Sequence, residues 1–290
     1  MSAPARPTWI SAEHYPFESH FAAVANAELH YLDEGTGPPL LLLHGNPTWS
    51  FLYREIIIGL RDRFRCLAVD LPGFGVSRAG AGYAFTPAEH ALALEQLVLE
   101  LGLDGVTMMV QDWGGPIGFA VATRNPERFR AFVIGNTWAW PKSDAGTQVF
   151  SRTLGGPIGR RLILGRNFFV ERIIPGGVRR RKLAPEVMAA YRGPFPTPRS
   201  RWPIYVFPRE ILASRPFLGE VERGLPALRD RPALILWPTK DPAFRDRERR
   251  RWEAIFPNHR TVMLHGAGHY IQEDAPEEIV AAIAAWSTSQ

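Results

Sequence analysis

Residues 110–118 read Val110-Gln111-Asp112-Trp113-Gly114-Gly115-Pro116-Ile117-Gly118, and their reading decides the fold. The run just before them, Val106–Val110, is short and apolar, as a strand buried on both faces of a sheet would be. A helical stretch follows the glycines at once. A strand that turns into a helix over so few residues bends sharply and pushes one side chain up out of the sheet. Gly114 and Gly115 let helix and strand approach closely. The side chain so presented is Asp112. Taken alone, an aspartate here would be a plain helix N-cap, a role it fills well.

Groups elsewhere in the chain argue for more than a cap. Leu40–Leu43, Cys66–Val69, Phe132–Ile134, Ala233–Trp237 and Thr261–Leu264 also read as buried strands. Helical patterns lie between them. One covers residues 87–103, with Thr86 as N-cap, Pro87 at the first helical position, and Ala91, Leu94, Leu97 and Leu101 at helical spacing. This alternation predicts a mostly parallel central sheet flanked by helices. Phe17–Val24 and Ala27–Leu32 read as a hairpin on its edge, with Asn26 near the turn.

The residues just past the strands carry the chemistry. They are His44-Gly45-Asn46-Pro47, then Asp112, then Pro238-Thr239-Lys240-Asp241-Pro242, then Gly266-Ala267-Gly268-His269. Nucleophile, acid and histidine follow one another as in the α/β-hydrolase triad, which the order resembles, with Asp112 in the place of serine. Three separate strand ends supplying a triad outweigh the N-cap reading. A carboxylate nucleophile attacks saturated carbon bearing a leaving group and forms an ester on the enzyme. The histidine then activates water against that ester. Substrates narrow to alkyl halides and epoxides. His265, four residues before His269, reads as part of the last strand. Gly75-Val76-Ser77-Arg78-Ala79 faintly resembles a serine elbow, but no helix follows it, so Ser77 is not expected to act.

The strand pattern breaks at about Trp138 and resumes at Ala233. The stretch to about Glu222 is helical, with loops rich in Pro, Gly and Arg. An insertion there lies over the carboxyl ends of the strands, where a lid belongs. The expected division is a core of residues 1–138 and 223–290 with a helical cap of residues 139–222. The cap is basic: residues 141–220 hold 15 Lys/Arg against 5 Asp/Glu, in a chain of net charge +5. Its densest run is Arg179, Arg180, Arg181 and Lys182. No helix-turn-helix, zinc finger or aromatic RNA motif accompanies it, so it reads as a solvated face and not a nucleic-acid surface.

A chain of 290 residues, 46% hydrophobic and 22% charged, excludes a disordered, collagen-like or disulfide-framed protein. One cysteine, Cys66, rules out an intramolecular disulfide and a cysteine-based zinc site. The first sixteen residues lack a signal-peptide core, and no apolar run reaches the ~18 residues of a membrane span. A soluble, cytoplasmic protein without a membrane partner is expected.

HGNPTW at 44–49, VQDWGGPIG at 110–118, DPAF at 241–244 and GAGHYIQEDAPEE at 266–278 together resemble the haloalkane dehalogenases. NFFVERIIPG at 167–176 and YRGPFP at 191–196 resemble that family's cap, and the likeness runs from about Pro16 to Ala285. The resemblance implies an α/β-hydrolase fold with an inserted helical cap. It implies Asp112 as nucleophile, His269 as base and Asp241 as third acid. Asn46 and Trp113 would hold the departing halide through side-chain N–H groups, and their backbone N–H groups would form the oxyanion hole. One branch of the family places a glutamate after the strand that here is Phe132–Ile134. This chain has Asn136 there, so the set resembles the branch called subfamily III. Trp138, Phe168, Phe169 and Phe207 are the expected aromatic residues of the cap or the pocket lining. No cofactor and no metal are implied. The expected reaction converts a small haloalkane and water into a primary alcohol, a halide ion and a proton. The alternatives are an epoxide hydrolase, with Tyr191 or Tyr205 protonating the opened oxygen, a non-catalytic receptor or scaffold, and a luciferase-like oxygenase. Preferred halide, chain length, natural substrate and oligomeric state stay open at this point.

Overall fold

The computed structural model describes residues 7–288. Nine strands form one sheet: β1 (His20–Val24), β2 (Ala27–Glu34), β3 (Pro39–Leu43), β4 (Arg65–Val69), β5 (Arg78–Ala79), β6 (Val106–Asp112), β7 (Phe129–Thr137), β8 (Ala233–Pro238) and β9 (His259–Leu264). Their spatial order is β1-β2-β4-β3-β6-β7-β8-β9, with β5 beside β2. Every ladder from β4 to β9 is parallel, and the pairs made by β2 are antiparallel. Each expected strand forms, and the edge hairpin pairs Val24 with Ala27. Helices cover both faces, which is why the central strands read as continuous apolar runs and not as alternation. The helix Pro87–Glu100 opens with a reciprocal capping box between Thr86 and Glu89.

The chain passes from β3 to β4 on one side and later to β6 on the other. The carboxyl ends of β3 and β6 therefore face a crevice at a topological switch point, where ligands bind in open α/β sheets. Asn46 follows β3 and Asp112 ends β6, so the two candidate groups meet there.

The insertion follows β7. It comprises the helices Ala145–Leu154, Pro157–Arg166, Ile174–Gly177 (entered through a π-helical turn at Phe169–Ile173), Pro185–Arg192 and Trp202–Ala213. The next helix, Arg215–Gly224, packs back on the core helix Gly114–Arg124. A Cβ on Gly224 would stand 2.6 Å from Thr123 Cβ. The helix Arg215–Gly224, inside the expected cap of residues 139–222, thus lies against the core as well as against the helix Trp202–Ala213.

Two buried contacts seat the cap. Arg54 grips Glu273 with both guanidinium nitrogens (2.6 and 2.8 Å), and the Tyr191 hydroxyl donates to the same carboxylate at 2.5 Å. Asp274 accepts the backbone N–H groups of Arg179, Arg180 and Gly268, and the Arg180 side chain reaches Glu278 and the His265 carbonyl. The basic run expected as a solvated face is therefore partly a clamp onto the loop that carries His269. Ser77 is also structural: it donates to the Asp70 carbonyl at 2.7 Å and accepts the His30 N–H at 2.8 Å. Among the described residues, no helix is long and apolar enough to cross a membrane.

Candidate active site

Asp112 sits at the bend with φ of 49°, a left-handed conformation that costs a non-glycine residue roughly 1–3 kcal/mol. Its surroundings hold it there. A Cβ on Gly115 would fall 1.9 Å from Thr137 Oγ1, and one on Gly114 would fall 2.3 Å from the Leu43 carbonyl oxygen. Only glycines let the helix start this close to β3 and β7. The Thr137 hydroxyl donates to the Asp112 carbonyl at 2.5 Å. The Asp112 carboxylate accepts the Asn46 backbone N–H at 2.9 Å. Gly45 leaves room for it, since a Cβ there would lie 2.3 Å from Asp112 Oδ1.

His269 Nε2 stands 3.8 Å from Asp112 Oδ2. Its Nδ1 is 2.9 Å from Asp241 Oδ2. Asp241 Oδ1 accepts the Ala243 N–H at 2.7 Å, and Oδ2 also accepts from the Asn136 amide at 2.6 Å. Burial pushes the Asp112 carboxyl up, and the facing His269 and the Asn46 and Trp113 N–H groups only partly offset it. Burial would raise Asp241 as well, but the His269 charge and hydrogen bond hold it below the ordinary range. Burial would lower His269, yet Asp241, with Asp112 behind it, leaves the imidazole raised. The three groups expected from separate strand ends are thus brought together and coupled.

Trp113 is 3% exposed, and its indole N–H makes no hydrogen bond to another described residue; the Trp138 indole N–H is buried without a partner. Phe207 stacks on it at 5.0 Å and Trp138 meets it edge-on at 4.7 Å. The Asn46 amide donates one N–H to the Ile204 carbonyl at 3.2 Å, which orients the group and leaves its second N–H available. A cavity of about 860 Å³ lies against all five residues. Trp138 and Phe169 border it. Phe168 and Phe207 do not: Phe168 packs edge-on to Phe169, and Phe207 stands behind Trp113. Helical spacing could not tell which of two adjacent phenylalanines faces inward across a π-turn.

Several residues near the reacting groups escaped sequence reasoning. Gln111 Nε2 lies 3.1 Å from His269 Nε2 and 3.2 Å from its carbonyl oxygen. Asn136 donates to the His269 carbonyl at 2.7 Å, and its place at the alternative acid position was the signal available. Phe244 stacks on the imidazole at 5.8 Å. Lys142 borders the cavity with its ammonium 4.6 Å above the Phe244 ring and 3.5 Å from Glu248. Burial lowers its pKa against the pull of Glu248 and Asp144. His265 lies one residue past β9, not inside it, and is exposed away from the cavity.

An aspartate at a strand–helix elbow, a histidine and a second aspartate beneath a helical cap define a hydrolase of the α/β-hydrolase fold, and the model of that fold family matches residues 38–154 and 174–276. Haloalkane dehalogenase 2 of Mycobacterium tuberculosis (strain ATCC 25618 / H37Rv) is 49% identical over 93% of this chain and 94% of its own. A cis-3-alkyl-4-alkyloxetan-2-one decarboxylase of Shewanella oneidensis is 32% identical over 91% and 86%. Among solved structures, haloalkane dehalogenase DbeA from Bradyrhizobium elkani superposes with a TM-score of 0.85 at 30% identity, covering 94% of this chain and 98% of that one. The chain belongs to the haloalkane dehalogenase family.

Proposed function

We propose that Asp112, His269 and Asp241, with Asn46 and Trp113, carry out the hydrolytic dehalogenation that the family performs. The observation that carries this is a carboxylate, not a hydroxyl, at the elbow, held by the Asn46 N–H with His269 Nε2 3.8 Å away. An Asp112 oxygen attacks the carbon bearing the halogen. The new C–O bond forms as the C–X bond breaks, and the halide leaves with the electron pair. The indole N–H of Trp113 and the second amide N–H of Asn46 stabilise the charge that grows on it. Each such donor is worth roughly 2.7–4 kcal/mol in the transition state. The product is an alkyl ester on Asp112.

In the second step His269 takes a proton from water, and the hydroxide adds to the ester carbonyl of Asp112. The oxyanion faces the backbone N–H groups of Asn46 and Trp113. Collapse releases the alcohol with the alkyl oxygen and regenerates the carboxylate; the proton on His269 passes to solvent. The charges set the order of events. In the free protein Asp112 helps hold the imidazole protonated. Once esterified, Asp112 carries no charge and its contribution, smaller than that of Asp241, vanishes, which favours the neutral imidazole that the second step uses.

The epoxide alternative rests on a cap tyrosine hydroxyl in the cavity; Tyr270 borders the cavity, but it belongs to the core, edge-on to His269 at 4.8 Å. The Tyr191 hydroxyl is committed to Glu273 and the Tyr205 hydroxyl to the Gly155 carbonyl at 2.9 Å, and neither residue borders the cavity. The single cysteine, Cys66, is a buried free thiol, which suits a reducing cytoplasm. The test offers 1-bromobutane, styrene oxide and a cis-3,4-dialkyl oxetan-2-one side by side. Bromide release well above diol or carbon dioxide release is expected. Diol or carbon dioxide as the faster product would overturn the reading.

A further inference from the structure

The cavity has two zones of opposite character. Its apolar lining is made by Trp113, Trp138, Phe169, Ile173, Ile211 and Phe244, all buried or half-buried. Its rim is strongly basic. Arg172, Arg179, Arg245 and Arg247 border it and are exposed, and Lys142 borders it from a buried position. Two carboxylates outside the triad also border it, and both are engaged. Glu248 takes Arg247 at 2.9 Å and Lys142 at 3.5 Å, and Asp144 takes Arg247 at 3.2 Å. Lys142 and Arg247 are therefore neutralised locally.

The guanidinium groups of Arg172, Arg179 and Arg245 have no carboxylate partner among the described residues. Glu171, next to Arg172, is taken by Arg192 at 2.7 Å. Asp274, near Arg179, is occupied by backbone N–H groups. Three exposed cations without a carboxylate partner among the described residues thus border the cavity, beside charged groups that pair with one another. A neutral haloalkane makes no use of them. An anionic group on the reacting carbon would meet the Asp112 charge in the pocket's depth and be repelled. An anion at the far end of an apolar chain can reach the exposed arginines that border the cavity, whose planar fork matches a carboxylate.

We propose that this pocket is selective for terminally halogenated alkanoates, with the halogen at Asp112 and the distal carboxylate held by Arg172, Arg179 and Arg245. The proposal rests on the dehalogenase reading above and adds the substrate class. The chemistry at carbon is unchanged: bromide leaves, the solvent-derived hydroxide cleaves the ester, and the hydroxyalkanoate and one proton are released. Because the carboxylate lies away from the reacting carbon, it binds ground state and transition state alike, and the preference sits in KM.

The test compares 6-bromohexanoate with 6-bromohexan-1-ol, which has the same chain and no charge. Wild type is expected to favour the carboxylate by about tenfold in kcat/KM, the low end of what a charged cleft confers. In Arg172→Gln/Arg179→Gln/Arg245→Gln, whose changes are all at exposed side chains, that ratio is expected to fall to about one, mainly by a rise in KM for the bromohexanoate. Equal use of both compounds by wild type, or a preference that survives the triple substitution, overturns the proposal while leaving dehalogenation intact. No bromide from either compound, nor from 1-bromobutane, overturns the dehalogenase reading itself.

Discussion

Gly45→Ala offers a sharp test of how the nucleophile is held. The glycine backbone is not in the left-handed region, so alanine can adopt it without strain. The difficulty is space: the new Cβ would stand 2.3 Å from Asp112 Oδ1 and 2.4 Å from its Cβ. Ordinary carbon–heavy-atom contact needs about 3.5 Å, so the carboxylate must retreat by about 1 Å. It cannot retreat while keeping the 2.9 Å hydrogen bond from the Asn46 N–H. A displacement of that size at a reacting atom costs on the order of 100-fold in rate. The loss should fall on carbon–halogen cleavage, read as the rate of ester formation in a single-turnover rapid-quench experiment with excess enzyme. The melting temperature, measured alongside, separates misplacement from unfolding. A folded Gly45→Ala protein that forms the ester at the wild-type rate would refute the claim that Gly45 makes room for the attacking oxygen.

Other perturbations follow from the same geometry. Asp241→Asn should slow ester hydrolysis far more than ester formation, and Asn136→Glu in that background should restore part of it, because Asn136 already lies 3.3 Å from His269 Nδ1; transient kinetics of both steps check this. Hydrolysis needs neutral imidazole, so its rate should fall as pH drops through the His269 pKa. Asp241 raises that pKa, and its removal should move the acid limb of the hydrolysis-rate profile to lower pH. Asn46→Leu should cost roughly 2.7–4 kcal/mol of transition-state stabilisation and weaken bromide quenching of tryptophan fluorescence, with cleavage slowed more than hydrolysis. Arg54→Met leaves Glu273 buried with only the Tyr191 hydroxyl and should destabilise the fold by about 3–5 kcal/mol, read by denaturant unfolding.

The legible parts of the chain were those governed by local rules. Buried parallel strands announce themselves as apolar runs. The residues just past them are pinned by the topology to one rim, so Asp112, Asp241 and His269 could be named before their distances were known. The Gly114-Gly115 pair pointed to close packing, and Thr137 and Leu43 are what it packs against. Less could be read where a residue's role depends on a neighbour distant in sequence. Gln111 is an ordinary polar residue until His269, on another strand end, comes within 3.1 Å. Lys142 and Glu248 are 106 positions apart, and neither signals burial alone. The helix Arg215–Gly224 has an amphipathic pattern that says it packs, but not that its partners are the core helix Gly114–Arg124 and the cap helix Trp202–Ala213. The basic run at Arg179–Lys182 is exposed at its side chains, as a charge run is expected to be, while the hold of Asp274 on its backbone N–H groups is something sequence patterns do not register.

The central claim is that Asp112 is the covalent nucleophile and that water attacks the ester, not the substrate carbon. A single turnover in heavy-oxygen water, with protein in excess over 1-bromobutane, tests it directly. Mass spectrometry then reads both the butanol and the peptide bearing Asp112. Covalent attack by Asp112 gives butanol with ordinary oxygen, taken from Asp112, and one heavy oxygen in the Asp112 carboxylate. Heavy oxygen in the first-turnover butanol, with none in Asp112, would contradict it.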